Sequence, residues 1–95
     1  MNKVFSDVAW QHYQYWAVTD KKILKKVNQL IQDIERNGND GLGKPEPLKN
    51  ELSEFWSRRI TDVHRLIYSI DEDNIHIAKC KAITMMDRGS VAIPS

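Results

Sequence analysis

Residues 41–65 read GLGKPEPLKNELSEFWSRRITDVHR and concentrate side chains whose uses go beyond packing. Glu46 stands between Pro45 and Pro47. Proline fixes φ at about −65° and restricts the residue before it, so this carboxylate is carried by a stiff backbone. That stiffness suits a general base, which must be held within hydrogen-bond reach of the proton it takes. Cations surround it in the sequence: Lys44 and Lys49 on either side, then Arg58 and Arg59 after the aromatic pair Phe55-Trp56, then Arg65 after His64. A guanidinium grips phosphate through two parallel hydrogen bonds and stabilises charge that develops on it. One positioned carboxylate with several arginines suits phosphodiester chemistry. The plainer reading, a polar surface loop followed by a strand with an alternating charged face, stands beside it on these residues alone.

The rest of the chain supplies elements to position this stretch. Lys3-Val4-Phe5 is a short strand candidate, and Ser6 can cap a helix by accepting from its unsatisfied N–H groups. The first helix is expected to run to about Val18. Ala9, Trp10, Tyr13, Trp16 and Ala17 form its aromatic core stripe, and His12 falls on its exposed side. Thr19-Asp20 starts a second helix, in which Ile23, Val27, Leu30, Ile31 and Ile34 recur at helical spacing before Asn37-Gly38 ends it. So short a connection implies an antiparallel helical hairpin. Lys21, Lys22, Lys25 and Lys26 form a charged face near the start of the second helix, normally a solvated one.

After a glycine-rich loop over 37–44, period-two patterns predict strands at 55–60, 65–70 and 75–81, with Asp71-Glu72-Asp73-Asn74 turning between the last two. Leu66, Tyr68 and Ile70 share the face toward the helices. Arg65, Ile67 and Ser69 share the open face, and His64 points opposite to Arg65. The expected fold is α+β in the order β-α-α-β-β-β: an antiparallel sheet with a helical hairpin on one face and the working surface on the other. Trp56 reads as an aromatic anchor, and His76 as a partly exposed strand residue.

Ninety-five residues with 41% hydrophobic content support one domain. The net charge of +1 is no general basic excess, and residues 44–65 carry five basic against four acidic side chains, so only segregation by the fold could create a positive surface. The single Cys80 cannot form an internal disulfide and reads as a small buried strand residue. His12, His64, His76 and Cys80 lack metal-ligand spacing. No apolar run reaches the roughly 18 residues of a membrane span, and no signal-peptide pattern opens the chain, so no membrane association and a cytoplasmic location are expected.

Lys44-Pro45-Glu46-Pro47-Leu48-Lys49, Phe55-Trp56-Ser57-Arg58-Arg59-Ile60 and His64-Arg65-Leu66-Ile67-Tyr68 resemble the signature of the YoeB (Txe) toxins, within the RelE/ParE superfamily of bacterial toxin–antitoxin modules. Tyr13, Tyr15-Trp16, Asp20-Lys21-Lys22 and Asn28 extend the resemblance, which spans residues 5–81. It implies a RelE-like fold over residues 1–81 and a toxin that enters the ribosomal A site and cuts messenger RNA there, with neither metal nor cofactor. In that role Glu46 matches the base and Arg65 the phosphate stabiliser. Lys49 and Arg59 match supporting cations, and Lys44 and Arg58 are further RNA-binding candidates. The resemblance also implies neutralisation by a YefM-like antitoxin and a tendency to homodimerise. Two other classes stay open: a non-cleaving module that binds ribosome or antitoxin, and a ParE-like inhibitor of gyrase.

Family members finish on a His-Tyr pair where this chain has Ile83-Thr84, and residues 82–95 form an atypical tail. In the family the His is the general acid, a role neither replacement can fill, so an impaired enzyme is expected. A shifted reading frame is one origin for this ending. Histidine codons (CAY) followed by tyrosine codons (TAY), read one nucleotide late, encode Ile or Thr and then Ile, Thr or Met. Gly-His-Tyr-Asp-Asp written GGC-CAT-TAC-GAT-GAT, followed by G, becomes Ala-Ile-Thr-Met-Met, the sequence at 82–86. Natural divergence is the other origin.

Overall fold

The computed structural model describes residues 1–82; the expectations attached to Ile83-Thr84 and the rest of the tail lie outside the described residues. Strand β1 (Asn2–Phe5) is followed by helices α1 (Asp7–Thr19) and α2 (Lys21–Asn37), then strands β2 (Glu46–Pro47), β3 (Trp56–Arg59), β4 (Arg65–Ile70) and β5 (Asn74–Lys79), with a 3-10 turn at Asn50–Leu52 between β2 and β3.

Local chemistry sets the helix ends. Ser6 Oγ accepts from the Ala9 amide at 3.0 Å and caps α1. Asp20 alone separates the helices and serves both. Its own N–H donates to the Trp16 carbonyl at 2.9 Å, while its carboxylate accepts from the Lys22 and Ile23 amides at 3.1 and 3.2 Å. Gly38, at φ 64°, closes α2 by donating to the Ile34 carbonyl at 2.8 Å, a conformation that costs glycine little. The hairpin lays Val27, Leu30 and Ile34 against Leu66, Tyr68, Ile75 and Ile77, which make up most of the core with Ala9, Trp16 and Cys80.

Two expectations for α1 need correction. Trp10 is not in the core: it is 47% exposed and stacks on Tyr13 at 5.8 Å, because it lies one residue, about 100° of helix, away from the buried Ala9. His12 is not an exposed residue: it is half-buried, and its Nδ1 accepts from the Cys80 amide at 3.2 Å, tying the helix to the end of β5.

Among the described residues the sheet has five strands, in the order β1-β5-β4-β3-β2. From β2 to β5 every pairing is antiparallel, but β1 pairs with β5 in parallel, so the sheet is mixed rather than wholly antiparallel. A parallel pair needs a long crossover, and the helical hairpin with everything after it up to Asp73 supplies one. The β4 alternation is as expected, with Leu66 and Tyr68 buried and Arg65, Ile67 and Ser69 partly exposed. The strand unanticipated from sequence is β2: the Pro-Glu-Pro segment is not a free loop but a two-residue edge strand on β3.

Candidate active face

Pairing register brings the chemistry together. Residues directly opposite one another in an antiparallel pair present side chains to the same face. Glu46 lies opposite Ser57 and Ser57 opposite Ile67, while Arg59 lies opposite Arg65. Glu46, Arg59 and Arg65 therefore occupy neighbouring rows of the face that carries no helices. Prolines fit at β2 because it is an edge. The Leu48 amide donates inward to the Phe55 carbonyl at 2.9 Å, which leaves the alternate nitrogens of Pro45 and Pro47 facing away from the ladder. Glu46, Arg59, Lys44 and Lys49 are exposed. Lys44 leads into β2 from a positive φ of 51°, and Lys49 leaves it toward the 3-10 turn.

Arg65 is half-buried beside this face. Its Nη1 donates to the carbonyls of Thr61, Asp62 and His64 at 2.7, 3.1 and 3.1 Å, bracing the turn between β3 and β4. All three bonds run through one nitrogen, so among the described residues Nε and Nη2 are left to meet a ligand.

Arg58 must be removed from the RNA-binding set. Opposite Leu66 on the core face, it is 0% exposed, and its guanidinium is saturated inside the protein. Nε donates to Tyr68 Oη at 3.1 Å, Nη1 to Asp33 Oδ2 at 2.5 Å and to the Leu42 carbonyl at 2.9 Å, and Nη2 to the carbonyls of Gly38 and Asp40 at 2.7 and 3.1 Å. The Arg58 hydrogen bond, helped by the Leu42 amide, holds Asp33 below the ordinary carboxylate value of 3.8. Burial pushes the Tyr68 hydroxyl above its ordinary 10.0. Strand alternation puts the two adjacent arginines on opposite faces, and the packing of α2 and its following loop over one of them makes Arg58 the internal one.

Lys79 joins the face unannounced. Counting by twos from the buried Ile75 and Ile77 would turn it toward the helices, but the ladder slips between Ile67 and Tyr68, so that Tyr68 meets Ile77 while Ile67 meets Lys79. The irregularity places Lys79 with Ile67, in the row of Glu46.

The histidines lie apart from this set. His64 packs edge-on against Trp16 at 4.7 Å on the helix side, and its Nδ1 accepts from the Ala82 amide at 2.9 Å. Burial, with Lys81 nearby, lowers its pKa from 6.5, consistent with a neutral ring that accepts. His76 lies opposite Ser69, and its Nε2 is 2.7 Å from Asp71 Oδ2 in the hairpin turn. That is four residues along β4 from the Arg59–Arg65 row, more than 10 Å at about 3.4 Å per residue. Cys80 is buried, its thiol pushed up to about 12 by desolvation. Among the described residues no helix is long and apolar enough to cross a membrane.

A helical hairpin on one face of a five-stranded mixed sheet is the RelE-like toxin fold. Solved structures that share it include YoeB- and YafQ-type toxins. More narrowly, the chain belongs to the YoeB-like toxins of bacterial type II toxin–antitoxin systems, whose family model matches residues 5–83. Toxin YoeB of Escherichia coli K12 is 52% identical over 81 residues, which cover 85% of this chain and 96% of that protein. The YoeB dimer from Staphylococcus aureus superposes with a TM-score of 0.83 at 48% identity, covering 85% of this chain and 94% of that one. The heterotetrameric YoeB–YefM toxin–antitoxin complex from the same organism gives 0.82, at the same identity and coverage.

Proposed function

We propose that this toxin is a ribosome-dependent endoribonuclease that cuts messenger RNA without a metal, and that its turnover is impaired by the loss of a C-terminal acid. The observation that carries the reading is the cross-strand set on the open face: Glu46 in one row, Arg59 and Arg65 in the next. Glu46 takes the proton from a ribose 2′-OH. The 2′ oxygen then bonds to the adjacent phosphorus as the P–O5′ bond breaks, leaving a 2′,3′-cyclic phosphate and a 5′ oxygen that needs a proton. Arg65, through Nε and Nη2, which no described residue engages, stabilises the phosphoryl oxygens, with Arg59, Lys49 and Lys44 as further cations.

No group at Ile83 or Thr84 can protonate the leaving oxygen, so water must. Losing a general acid costs ~10²–10⁴-fold in rate. The barrier rises by about 3–5 kcal/mol at ~1.4 kcal/mol per tenfold. The antitoxin partner is a YefM-like protein, and the chain can pair with a second copy, as the Staphylococcus aureus relatives do in their complex and dimer. The absent acid also favours a second reading, a module that occupies ribosome or antitoxin without cutting.

A translating extract with a defined messenger tests this. The expected result is slow cleavage to 2′,3′-cyclic phosphate and 5′-OH ends, abolished by Glu46→Gln. Inserting one nucleotide near codon 81, which restores a frame read one nucleotide late and recovers a His-Tyr ending, should raise the rate ~10²–10⁴-fold. Ribosome binding without cutting in either form supports the second reading. Inhibition of gyrase supercoiling without ribosome binding overturns both.

A further inference from the structure

We infer that Arg58 is a positioning residue for Glu46, acting through the loop that leads into β2; the inference rests on the role just given to Glu46. All five N–H donors of the guanidinium are used, and three of them end on carbonyls of a single loop, those of Gly38, Asp40 and Leu42. A fourth holds Asp33 Oδ2, which itself accepts from the Leu42 amide at 2.9 Å, so the loop is gripped from both partners of the ion pair. The fifth fixes the guanidinium to Tyr68 on the neighbouring strand.

The chain then reaches Gly43, whose carbonyl accepts from the Arg59 amide at 2.7 Å. Gly43 has φ 79°, and a Cβ there would lie 2.9 Å from Leu30 Cδ2, 3.0 Å from the Arg59 carbonyl and 3.2 Å from Arg58 Cβ. The backbone is thus pressed flush against β3 at this point. Glu46 follows three residues later. Its flanking prolines make the segment stiff, but they donate nothing to the ladder, so stiffness alone cannot place it relative to β3. The ladder with β3 and the Leu48–Phe55 bond fix one end of the stiff piece; the other end is the loop, which Arg58 holds from inside the core while Ser57 and Arg59, on either side of it, lie on the opposite sheet face. A displacement of the loop is carried along the stiff piece to the carboxylate and changes its relation to Arg59 and Arg65. Misplacement by ~1 Å can cost ~10²-fold in rate.

Hydrogen exchange on the full chain reads this placement without needing catalysis. The reporters are the Arg59 amide, bound to Gly43, and the Leu48 amide, bound to Phe55; the references are the amides of β4 and β5. In Arg58→Lys, which keeps the charge but not the planar fork, exchange at the two reporters should rise roughly 10–100-fold beyond any change in the references. Asp33→Asn, a milder change that keeps an acceptor, should loosen the same two reporters selectively if Arg58→Lys fails to fold. Tyr68→Phe leaves the loop tethers in place and should leave both reporters protected relative to the references. A uniform change across reporters and references in Asp33→Asn and Arg58→Lys, or unchanged reporters in both, overturns the inference. In the translating extract, Arg58→Lys should lower kcat ~10²-fold with KM little changed. If the unaltered chain leaves the messenger intact, the ribonuclease reading falls, while the exchange result still decides whether Arg58 places the Glu46 segment.

Discussion

Replacing Arg65 by alanine separates a ligand-binding arginine from a structural one on the same sheet. In the fold, Arg65→Ala removes three hydrogen bonds, all from Nη1 to carbonyls of the turn between β3 and β4. Asp62 is exposed and Thr61 and His64 are half-buried, so water can reach much of that turn. The cost should stay near ~1–2 kcal/mol, well below three full hydrogen bonds. Arg58→Ala is the contrast. It removes the fully buried guanidinium from its pair with the partly buried Asp33 and leaves three carbonyls and the Tyr68 hydroxyl without the donors they had, which should cost about 3–5 kcal/mol or prevent folding. RNA binding should discriminate further. If Arg65 neutralises one phosphate, the slope of log K against log salt for a single-stranded oligonucleotide, 2′-deoxy at the cut position, should fall by about 0.7 in Arg65→Ala. Urea denaturation gives the first quantity and fluorescence anisotropy at several salt concentrations the second. A destabilisation above ~3 kcal/mol would make Arg65 a structural residue, and an unchanged salt slope would remove it from the phosphate site.

Trp16→Phe should cost about 2–4 kcal/mol, since it deletes a buried indole N–H bond of 2.8 Å to the Cys80 carbonyl and leaves a small void; thermal denaturation should show Tm lower by ~10–20 °C, and a fall under ~3 °C would contradict the packing described. Cys80 should resist iodoacetamide at pH 8 in the native protein and react promptly in urea, because its thiol is buried and its pKa raised to about 12; fast native labelling, read by intact mass, would count against that burial. Acidification should weaken the fold in two stages. His64 and Asp33 both have folded pKa values below their unfolded ones of 6.5 and 3.8, so each contribution is present above the unfolded value and lost as pH falls through the folded one. Urea midpoints should therefore drop first below pH 6.5 and again below about 3.8, and His64→Gln should suppress only the first step.

The helices were legible in the chain order itself. Ser6, Asp20 and Gly38 act within a few residues of where they stand, and the α2 stripe needs only helical spacing to find its buried side. The β4 alternation was equally local, and it correctly turned Arg65 away from Leu66 and Tyr68. Glu46, Arg59 and Arg65 could be suspected from residue type, but their grouping depends on the pairing of β2 with β3 and β3 with β4, and register is a property of two strands rather than one. The same limit explains the errors. Arg58 and Arg59 are adjacent cations in the sequence, and only the packing of α2 and its following loop over one face made Arg58 an internal tether with Asp33 as partner, 25 residues away. Lys79 was hidden because a slip in the β4–β5 ladder breaks the period that sequence reading relies on. His12 needed the end of β5, 68 residues on, to acquire the amide it accepts from. Local free energies write helix caps and alternating faces into neighbouring residues, whereas the placement of charge on the working face follows from contacts between segments far apart in the chain.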